Sequence, residues 1–209
     1  MIRHILFDLD STLYSVRFGL EIGARQRIQD FAVPWLAIPF EEALQKWKDG
    51  FQRYGTTIEW LTSEMGFTAV DDYHAYTHPE SEVEPLLPDP QLRSFLENLP
   101  CPYSILTNSP DFHAERVINK LGLDGLFHRI FDIKFNNHKG KPNPLAYRRP
   151  LEALGLRPEE VLFVDDLPRY VEGYLAIGGK GVLLDEMDAH KEYPNERVNS
   201  LYELARFFN

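Results

Sequence analysis

Short apolar runs alternate with amphipathic stretches along most of this chain, and the alternation predicts an α/β fold. Four runs are rich in aliphatic and aromatic side chains, as buried strands are, and a weaker strand pattern covers residues 130–135. The strand runs span residues 2–7, 103–106, 161–164 and 181–184, and helical patterns span residues 89–99, 112–121, 144–154 and 169–177. Strands that alternate with helices form βαβ units, so we expect a parallel sheet.

Residues 15–84 depart from this alternation. They carry helical patterns over residues 18–31, 40–54 and 58–65, punctuated by proline and glycine, and no convincing strand pattern. His74 and His78 fall in a predicted loop here and are assigned no role. We therefore expect an all-helical module at residues 15–84, inserted into an α/β domain that residues 1–14 and 85–209 form together.

Polar side chains follow three of the predicted strands directly, which indicates one shared site. Ligands of open parallel sheets bind outside the carboxyl ends of the strands. Residues i and i+2 of an extended chain point to the same side, so the two aspartates after the first run converge. Such a pair can hold a divalent cation, share acid and base work, or provide a nucleophile, although an isolated Asp-x-Asp is more often a solvated turn. The three clusters are Asp8-Leu9-Asp10, Thr107-Asn108-Ser109 and Asp165-Asp166.

Composition and charge narrow the classes of function. The chain has 209 residues, 44% of them hydrophobic, which suits one folded core with a smaller insert. A formal net charge of −10 disfavours nucleic-acid polymers and anionic membranes as partners but is compatible with a small anionic substrate. The single cysteine, Cys101, excludes an internal disulfide framework. With no signal-peptide pattern and no long apolar span, we expect a cytoplasmic protein.

Four motifs in this order resemble those of the haloacid dehalogenase (HAD) superfamily. They are Asp8-Leu9-Asp10-Ser11-Thr12, Thr107-Asn108, Lys141 within Gly140-Lys141-Pro142-Asn143-Pro144, and Asp165-Asp166. The resemblance covers essentially the whole chain. It implies a Rossmann-like parallel sheet core, and it implies that the helical module of residues 15–84 is the superfamily's cap.

The resemblance implies a role for each motif. Asp8 would be the nucleophile that attacks phosphorus and forms an aspartyl-phosphate. Asp10 would protonate the leaving alkoxide and then activate the water that hydrolyses the intermediate. Thr107 and the Asn108 backbone N–H would hold phosphate oxygens, and Lys141 would neutralise both the nucleophile and the phosphoryl group.

Two of these assignments have simpler alternatives. Thr107 and Asn108 could simply form the N-terminal cap of a helix, with no role in phosphate binding. Lys139 competes with Lys141, which we prefer because its flanking Pro-x-Pro matches the superfamily's third motif.

The resemblance also implies a Mg²⁺ cofactor. The ion would bind the Asp8 carboxylate, the Asp10 backbone carbonyl and Asp166, which are oxygen ligands of the kind that Mg²⁺ prefers. Asp165 would support Asp166 or hydrogen-bond Lys141, and whether Asp165 or Asp166 is the direct ligand stays open.

Asp10 favours phosphate chemistry, because members of the superfamily that break carbon–halogen bonds lack a second aspartate there. The Leu13-Tyr14 pair, the stretch from His113 and cap residues 51–55 look most similar to the pyrimidine 5′-nucleotidase branch. That resemblance implies a pyrimidine nucleoside 5′-monophosphate as substrate, with Arg53 and Tyr54 as candidates for base or sugar contacts. For these two, a solvated arginine and a core aromatic are the simpler interpretations.

Some features leave alternatives open. Ser11 and Tyr170 stand where asparagine is usual in that branch, and His113 is as compatible with a capping or packing role as with a substrate contact. A sugar-phosphate phosphatase, a phosphomutase of the same superfamily, and a catalytically silent protein that binds a phosphorylated ligand remain possible. We expect a monomer or a homodimer.

Overall fold

The computed structural model of the protein describes residues 1–208, so Asn209, the last residue of the predicted core domain, lies outside them. Within that range, six strands form one parallel sheet. The strands are β1 (His4–Phe7), β2 (Tyr103–Leu106), β3 (Ile130–Phe131), β4 (Val161–Asp165), β5 (Lys180–Leu184) and β6 (Arg197–Val198). Their spatial order is β3-β2-β1-β4-β5-β6, which confirms the predicted α/β fold.

Eight α-helices accompany the sheet among the described residues. Four follow β1 before the chain returns to the sheet: α1 (Leu20–Trp35), α2 (Phe40–Tyr54), α3 (Thr57–Glu64) and α4 (Val70–Thr77). The other four connect or flank the strands: α5 (Pro90–Glu97), α6 (Asp111–Leu121), α7 (Pro144–Leu154) and α8 (Pro168–Leu175). No helix in residues 1–208 combines the length and apolar character that a membrane crossing requires.

The register of the central strands brings the polar clusters to one edge of the sheet. Phe7 of β1 lies opposite Ile105 of β2 and Val164 of β4. The residues that follow these strands therefore leave the sheet side by side, as expected at the carboxyl ends of parallel strands. Apolar side chains pack on both faces of the sheet, including fully buried Leu6, Phe7 and Phe163.

Three elements differ from the sequence expectation. β3 is only two residues long, against the predicted strand over residues 130–135, and β6 was not predicted because two residues carry no readable period. Helix α4 occupies a stretch for which the pattern predicts a loop, so His74 lies on a helix and His78 at its end. Tertiary packing stabilises α4 although its sequence shows no clear helical pattern: Tyr73 is buried against Phe31, with ring centroids 5.3 Å apart.

The cap packs closely against the loop that carries Lys141. The buried Glu59 carboxylate of α3 accepts hydrogen bonds from Gly140 N–H at 2.9 Å and from Asn143 Nδ2 at 2.8 Å. Gly55 has φ 86°, and a Cβ there would lie 2.7 Å from the Lys141 carbonyl oxygen, so glycine is required by both backbone and space. Cap and core therefore share an interface at the site itself. The division at residues 15–84 stays a prediction.

Candidate active site

Asp8 continues the central strand into the site. Its N–H donates to the Val164 carbonyl at 2.8 Å, which fixes the backbone, and its side chain is buried. One carboxylate oxygen, Oδ1, contacts Lys141 Nζ at 2.5 Å, while Oδ2 accepts only a long hydrogen bond of 3.3 Å from Thr12 Oγ1. Burial raises the pKa of Asp8 well above its ordinary value, against the opposing effect of Lys141. Asp8 thus presents one weakly bonded oxygen, as a nucleophile requires.

Lys141 lies between two buried carboxylates. Its Nζ contacts Asp8 Oδ1 at 2.5 Å and Asp165 Oδ2 at 2.6 Å, and its side chain is 1% exposed. Burial lowers the pKa of Lys141, but Asp165 and Asp8 outweigh it and raise the pKa above its ordinary value. Lys139, the competing lysine, instead contacts Ser63 Oγ at 3.0 Å on the cap. Of the two lysines, only Lys141 lines the cavity between the cap and the strand ends.

Asp165 and Asp166 have different surroundings. Asp165 Oδ2 contacts Lys141, and its Oδ1 accepts a hydrogen bond from Leu167 N–H at 2.9 Å, so both oxygens have partners within the protein. Asp166 lines the cavity. Burial, with Asp165 and Asp8 next, raises the pKa of Asp166 to about 10. Lys141 thus contacts Asp165 directly, whereas its charge offsets the raised pKa of Asp166 only in part.

The donor set at this edge suits a divalent cation. Carboxylate oxygens of Asp8, Asp165 and Asp166 lie within 4.8 Å of one another. Burial, followed by the nearby aspartates, also raises the pKa of Glu21 at the same cavity to about 7. One lysine does not balance these acids, and hard oxygen donors are what Mg²⁺ prefers. The residues present therefore fit a Mg²⁺ ion held between Asp8 and Asp166.

Asp10 is held by three hydrogen-bond partners. Its Oδ1 accepts from Tyr14 Oη at 2.7 Å and contacts His113 Nε2 at 2.7 Å, and its Oδ2 accepts from Ser109 Oγ at 2.8 Å. Burial raises the pKa of Asp10, but His113, Tyr14 and Ser109 outweigh it and hold the pKa well below its ordinary value. The hydrogen-bond network therefore favours the ionised form of Asp10, and His113 Nε2 lies close enough to exchange a proton with it.

His113 belongs to a larger buried cluster that the sequence motifs do not reveal. Its other ring nitrogen, Nδ1, is in ion-pair contact with Glu82 Oε1, which also lies 3.0 Å from His78 Nδ1. The Arg27 guanidinium contacts the second oxygen of Glu82. Burial lowers the pKa of His113, but Asp10 and Glu82 outweigh it and raise the pKa to about 10.

Thr107 and Asn108 follow β2 and line the same cavity. The buried Thr107 Oγ1 accepts a hydrogen bond from Ser109 N–H at 3.0 Å. Asn108 joins the loop of Lys141 through two bonds: its Oδ1 accepts from Lys141 N–H at 2.7 Å, and its Nδ2 donates to the Lys141 carbonyl at 3.1 Å. The Asn108 side chain thus positions the lysine loop, which the motif alone does not show.

A cavity of about 400 Å³ lies between the cap and these strand ends. Its floor is polar, and the cap contributes apolar and aromatic side chains as its walls. The floor contains Asp8, Asp10, Thr107, Asn108, Lys141 and Asp166, and the walls include Ala24, Ile28, Trp47, Phe51, Ile58 and Tyr73. Arg25 and Arg169, which no sequence motif singles out, also line it, and the Arg169 guanidinium lies 5.2 Å from the Phe51 ring centre. Such a cavity suits a small ligand with one polar end.

The structure places the two predicted substrate contacts, Arg53 and Tyr54, outside the lining of the cavity. Arg53 points to the cap surface, where it pairs with Glu64 at 2.9 Å, and its side chain is 57% exposed. Tyr54 packs half-buried against the cap's own core. The phase of α2 explains both positions, because Phe51 and Gly55, one turn apart, face the cavity, whereas Arg53 and Tyr54 between them do not.

Comparison with known proteins agrees with this arrangement. Residues 2–177 match the family described as haloacid dehalogenase-like hydrolases. The chain belongs to this family.

A relative of similar length is a glyceraldehyde 3-phosphate phosphatase of Methanocaldococcus jannaschii, 28% identical over 98% of this chain and 96% of its own. Among solved structures, a HAD phosphatase from Thermococcus onnurineus aligns with a TM-score of 0.65 at 19% identity, covering 100% of this chain and 98% of its own. The L-2-haloacid dehalogenase from Xanthobacter autotrophicus aligns with a TM-score of 0.63 at 18% identity, covering 100% of both chains. These two structures establish the HAD fold and do not separate its phosphatases from its dehalogenases.

The two departures from the nucleotidase-like pattern have structural accounts. Ser11 has φ 57°, a left-handed conformation that asparagine tolerates better than serine. Tyr170 lines the cavity, and Lys141 Nζ lies 5.1 Å from the centre of its ring. Tyr170 therefore lies at the candidate active site, and its ring packs against Lys141.

Proposed function

We propose that this HAD-family protein is a Mg²⁺-dependent phosphomonoester hydrolase that works through an aspartyl-phosphate on Asp8. The observation that carries the proposal is the second aspartate: Asp10 lies at the cavity floor beside Asp8, held by three partners, where a dehalogenase needs no acid. A phosphate ester needs one, because its alkoxide leaving group must be protonated.

Each step has a residue of this chain in place. Asp8 Oδ2 attacks phosphorus while Lys141 Nζ, 2.5 Å from Oδ1, balances the charge of the nucleophile and the phosphoryl group. Asp10, ionised in its hydrogen-bond network, passes a proton from His113 Nε2, 2.7 Å away, to the leaving oxygen. It later takes a proton from the attacking water and returns it to His113. Mg²⁺ bound by Asp8, Asp166 and the Asp10 carbonyl would add neutralisation of the phosphoryl oxygens.

We propose a nucleoside 5′-monophosphate, of the pyrimidine class, as substrate. Trp47, Phe51 and Tyr73 give the cavity aromatic walls on which a planar base can stack, in a volume within the range of small-molecule sites. His74 also lines the cavity, and burial lowers its pKa to about 3, so its ring is neutral. Neither ring nitrogen of His74 has a hydrogen-bond partner within residues 1–208, which suits contact with a heterocycle.

A second candidate is a triose phosphate, which the similarity to the glyceraldehyde 3-phosphate phosphatase of Methanocaldococcus jannaschii favours. Phosphate release from nucleoside monophosphates, glyceraldehyde 3-phosphate and hexose phosphates, measured with Mg²⁺, separates the two. We expect the highest kcat/KM for a pyrimidine nucleotide. A preference for glyceraldehyde 3-phosphate would contradict the proposed substrate class.

Phe51→Ala should raise the KM for the nucleotide by roughly tenfold or more, because base–aromatic stacking contributes about 1–3 kcal/mol. The KM for glycerol phosphate, which has no base, should hardly change. The matched control is Phe40→Ala on the same helix, whose side chain is exposed and outside the cavity. An equal rise in KM for both esters would argue against base stacking on Phe51.

Mg²⁺ should stabilise the protein, and more so at higher pH. With the Asp166 pKa raised to about 10 in the metal-free fold, the folded state holds a proton that the unfolded state loses above pH 4, so stability falls as pH rises between these values. A bound cation replaces that proton. Thermal unfolding with Mg²⁺ and with chelator, at pH 6 and pH 8.5, should give the larger difference at pH 8.5. Asp166→Asn should remove most of it, and an unchanged Mg²⁺ effect in that variant would contradict the ligand assignment.

A further inference from the structure

Asp10 is linked to the cap through buried side chains that do not belong to the four HAD motifs. His113, in the first turn of α6, lies between two carboxylates, with Nε2 2.7 Å from Asp10 and Nδ1 against Glu82. The side chains of His113 and Glu82 are each 2% exposed. A ring with a carboxylate at both nitrogens cannot flip or swing without losing a charged contact in a dry environment.

Glu82 is in turn fixed by two parts of the cap. It lies in the short turn Glu80–Val83, through which the chain returns from the cap to the core. Arg27 of α1 contacts one of its oxygens and also donates to the Thr77 carbonyl at 2.7 Å, and His78, which follows α4, contacts the other oxygen. The contacts therefore run without a gap from α1 and the end of α4 to the acid–base residue.

We infer that His113 and Glu82 are positioning residues that hold the Asp10 carboxyl toward the leaving group and make its orientation depend on the seated cap. The inference rests on the proposed phosphatase function, because Asp10 has an acid to supply only if an ester oxygen leaves. The same three residues His78, Glu82 and His113 have the spacing of a metal site, but Arg27 already supplies the positive charge beside Glu82.

Comparing two leaving groups tests the positioning role, because a general loss of structure would lower the hydrolysis of both esters equally. A 4-nitrophenyl ester departs as a stable phenolate and needs little protonation, whereas an alkyl phosphate such as a nucleotide needs a correctly placed acid. The ratio kcat/KM reports the steps up to phosphoryl transfer and is thus free of the later hydrolysis, in which Asp10 acts as base for both esters.

Glu82→Gln and His113→Gln should each lower kcat/KM for the nucleotide on the order of 10²-fold and lower it for 4-nitrophenyl phosphate less than about tenfold. Glu80→Gln is the matched control, since Glu80 lies in the same turn with its side chain 89% exposed. An equal fall for both esters, or no fall in Glu82→Gln, would overturn the positioning role.

A second measurement does not depend on turnover. In ¹⁵N-edited NMR of the whole protein, the ring N–H signal that disappears in His113→Gln identifies His113. That signal should shift in Asp10→Asn and in Glu82→Gln and stay in place in Glu80→Gln. A wild type that hydrolyses no ester but shows these shifts would refute the phosphatase proposal and leave the contact chain intact, whereas an active wild type without the shifts would refute the contact chain.

Discussion

Asp8→Asn should lower phosphate release from every ester by roughly 10⁴-fold or more, the scale of losses seen when a covalent nucleophile is removed. An amide oxygen is a poor nucleophile and forms no stable phosphoryl adduct. The fold should persist, because the amide keeps the shape of the side chain and Lys141 retains Asp165 at 2.6 Å. Phosphate release measures the loss, and intact-protein mass spectrometry after rapid quenching should detect the phosphoryl adduct in wild type alone.

The control for Asp8→Asn is another buried aspartate that follows a strand. Asp185 comes directly after β5, accepts from Ala189 and His190 amides at 2.8 Å, and lies outside the cavity. Asp185→Asn should cost stability, since a carboxylate with charged and backbone partners is removed, and should leave turnover per folded molecule near that of wild type. Turnover of Asp8→Asn close to wild type would refute the assigned nucleophile.

The sequence predicts those parts of the site that follow directly from the geometry of individual strands. Asp8 and Asp10 are two residues apart, so extended geometry alone aims them at one point, and the parallel sheet brings Thr107 and Asp165 beside them. The alternation of strands and helices therefore predicted the fold, and the polar residues that follow the strands indicated where the cavity floor lies. These residues lie on the most buried strands, where local pattern and tertiary structure agree.

The remaining parts depend on distances that no local pattern encodes. The contact between Asp10 and His113 joins residues that are 103 positions apart, and Glu82 reaches His113 from a turn without a recognisable motif. Arg53 was a reasonable candidate by type, but the rotation of α2 about its axis decides that Phe51 faces the cavity instead. A single helix sequence does not reveal which of its faces meets a particular partner.

Lys141→Met should abolish turnover and also destabilise the protein by about 3–5 kcal/mol near pH 8, as expected when one partner of a buried charge cluster is removed. Asp8 and Asp165 would then share the interior with no cation at 2.5 and 2.6 Å. Burial raises the pKa of both carboxyls even in the presence of Lys141, which opposes the rise. Removing the lysine therefore raises both pKa values further. Denaturant unfolding of the chelator-treated protein at pH 5.5 and pH 8 measures the effect.

The direction of the pH dependence follows from proton counting. In Lys141→Met the folded state retains protons on the two carboxyls that the unfolded state releases above about pH 4, so stability rises as pH falls from 8 toward 4. The variant should therefore recover much of its loss at pH 5.5. Lys139→Met removes a lysine 3.4 Å from Glu59 and should lose less at either pH, because the Glu59 carboxylate keeps its hydrogen bonds from Gly140 and Asn143. Adding Asp165→Asn to Lys141→Met should restore stability at pH 8 without restoring turnover, because the amide removes an uncompensated charge but supplies none to the phosphoryl group. Equal losses at both pH values would mean that the lysine stabilises the fold by packing and not by its charge.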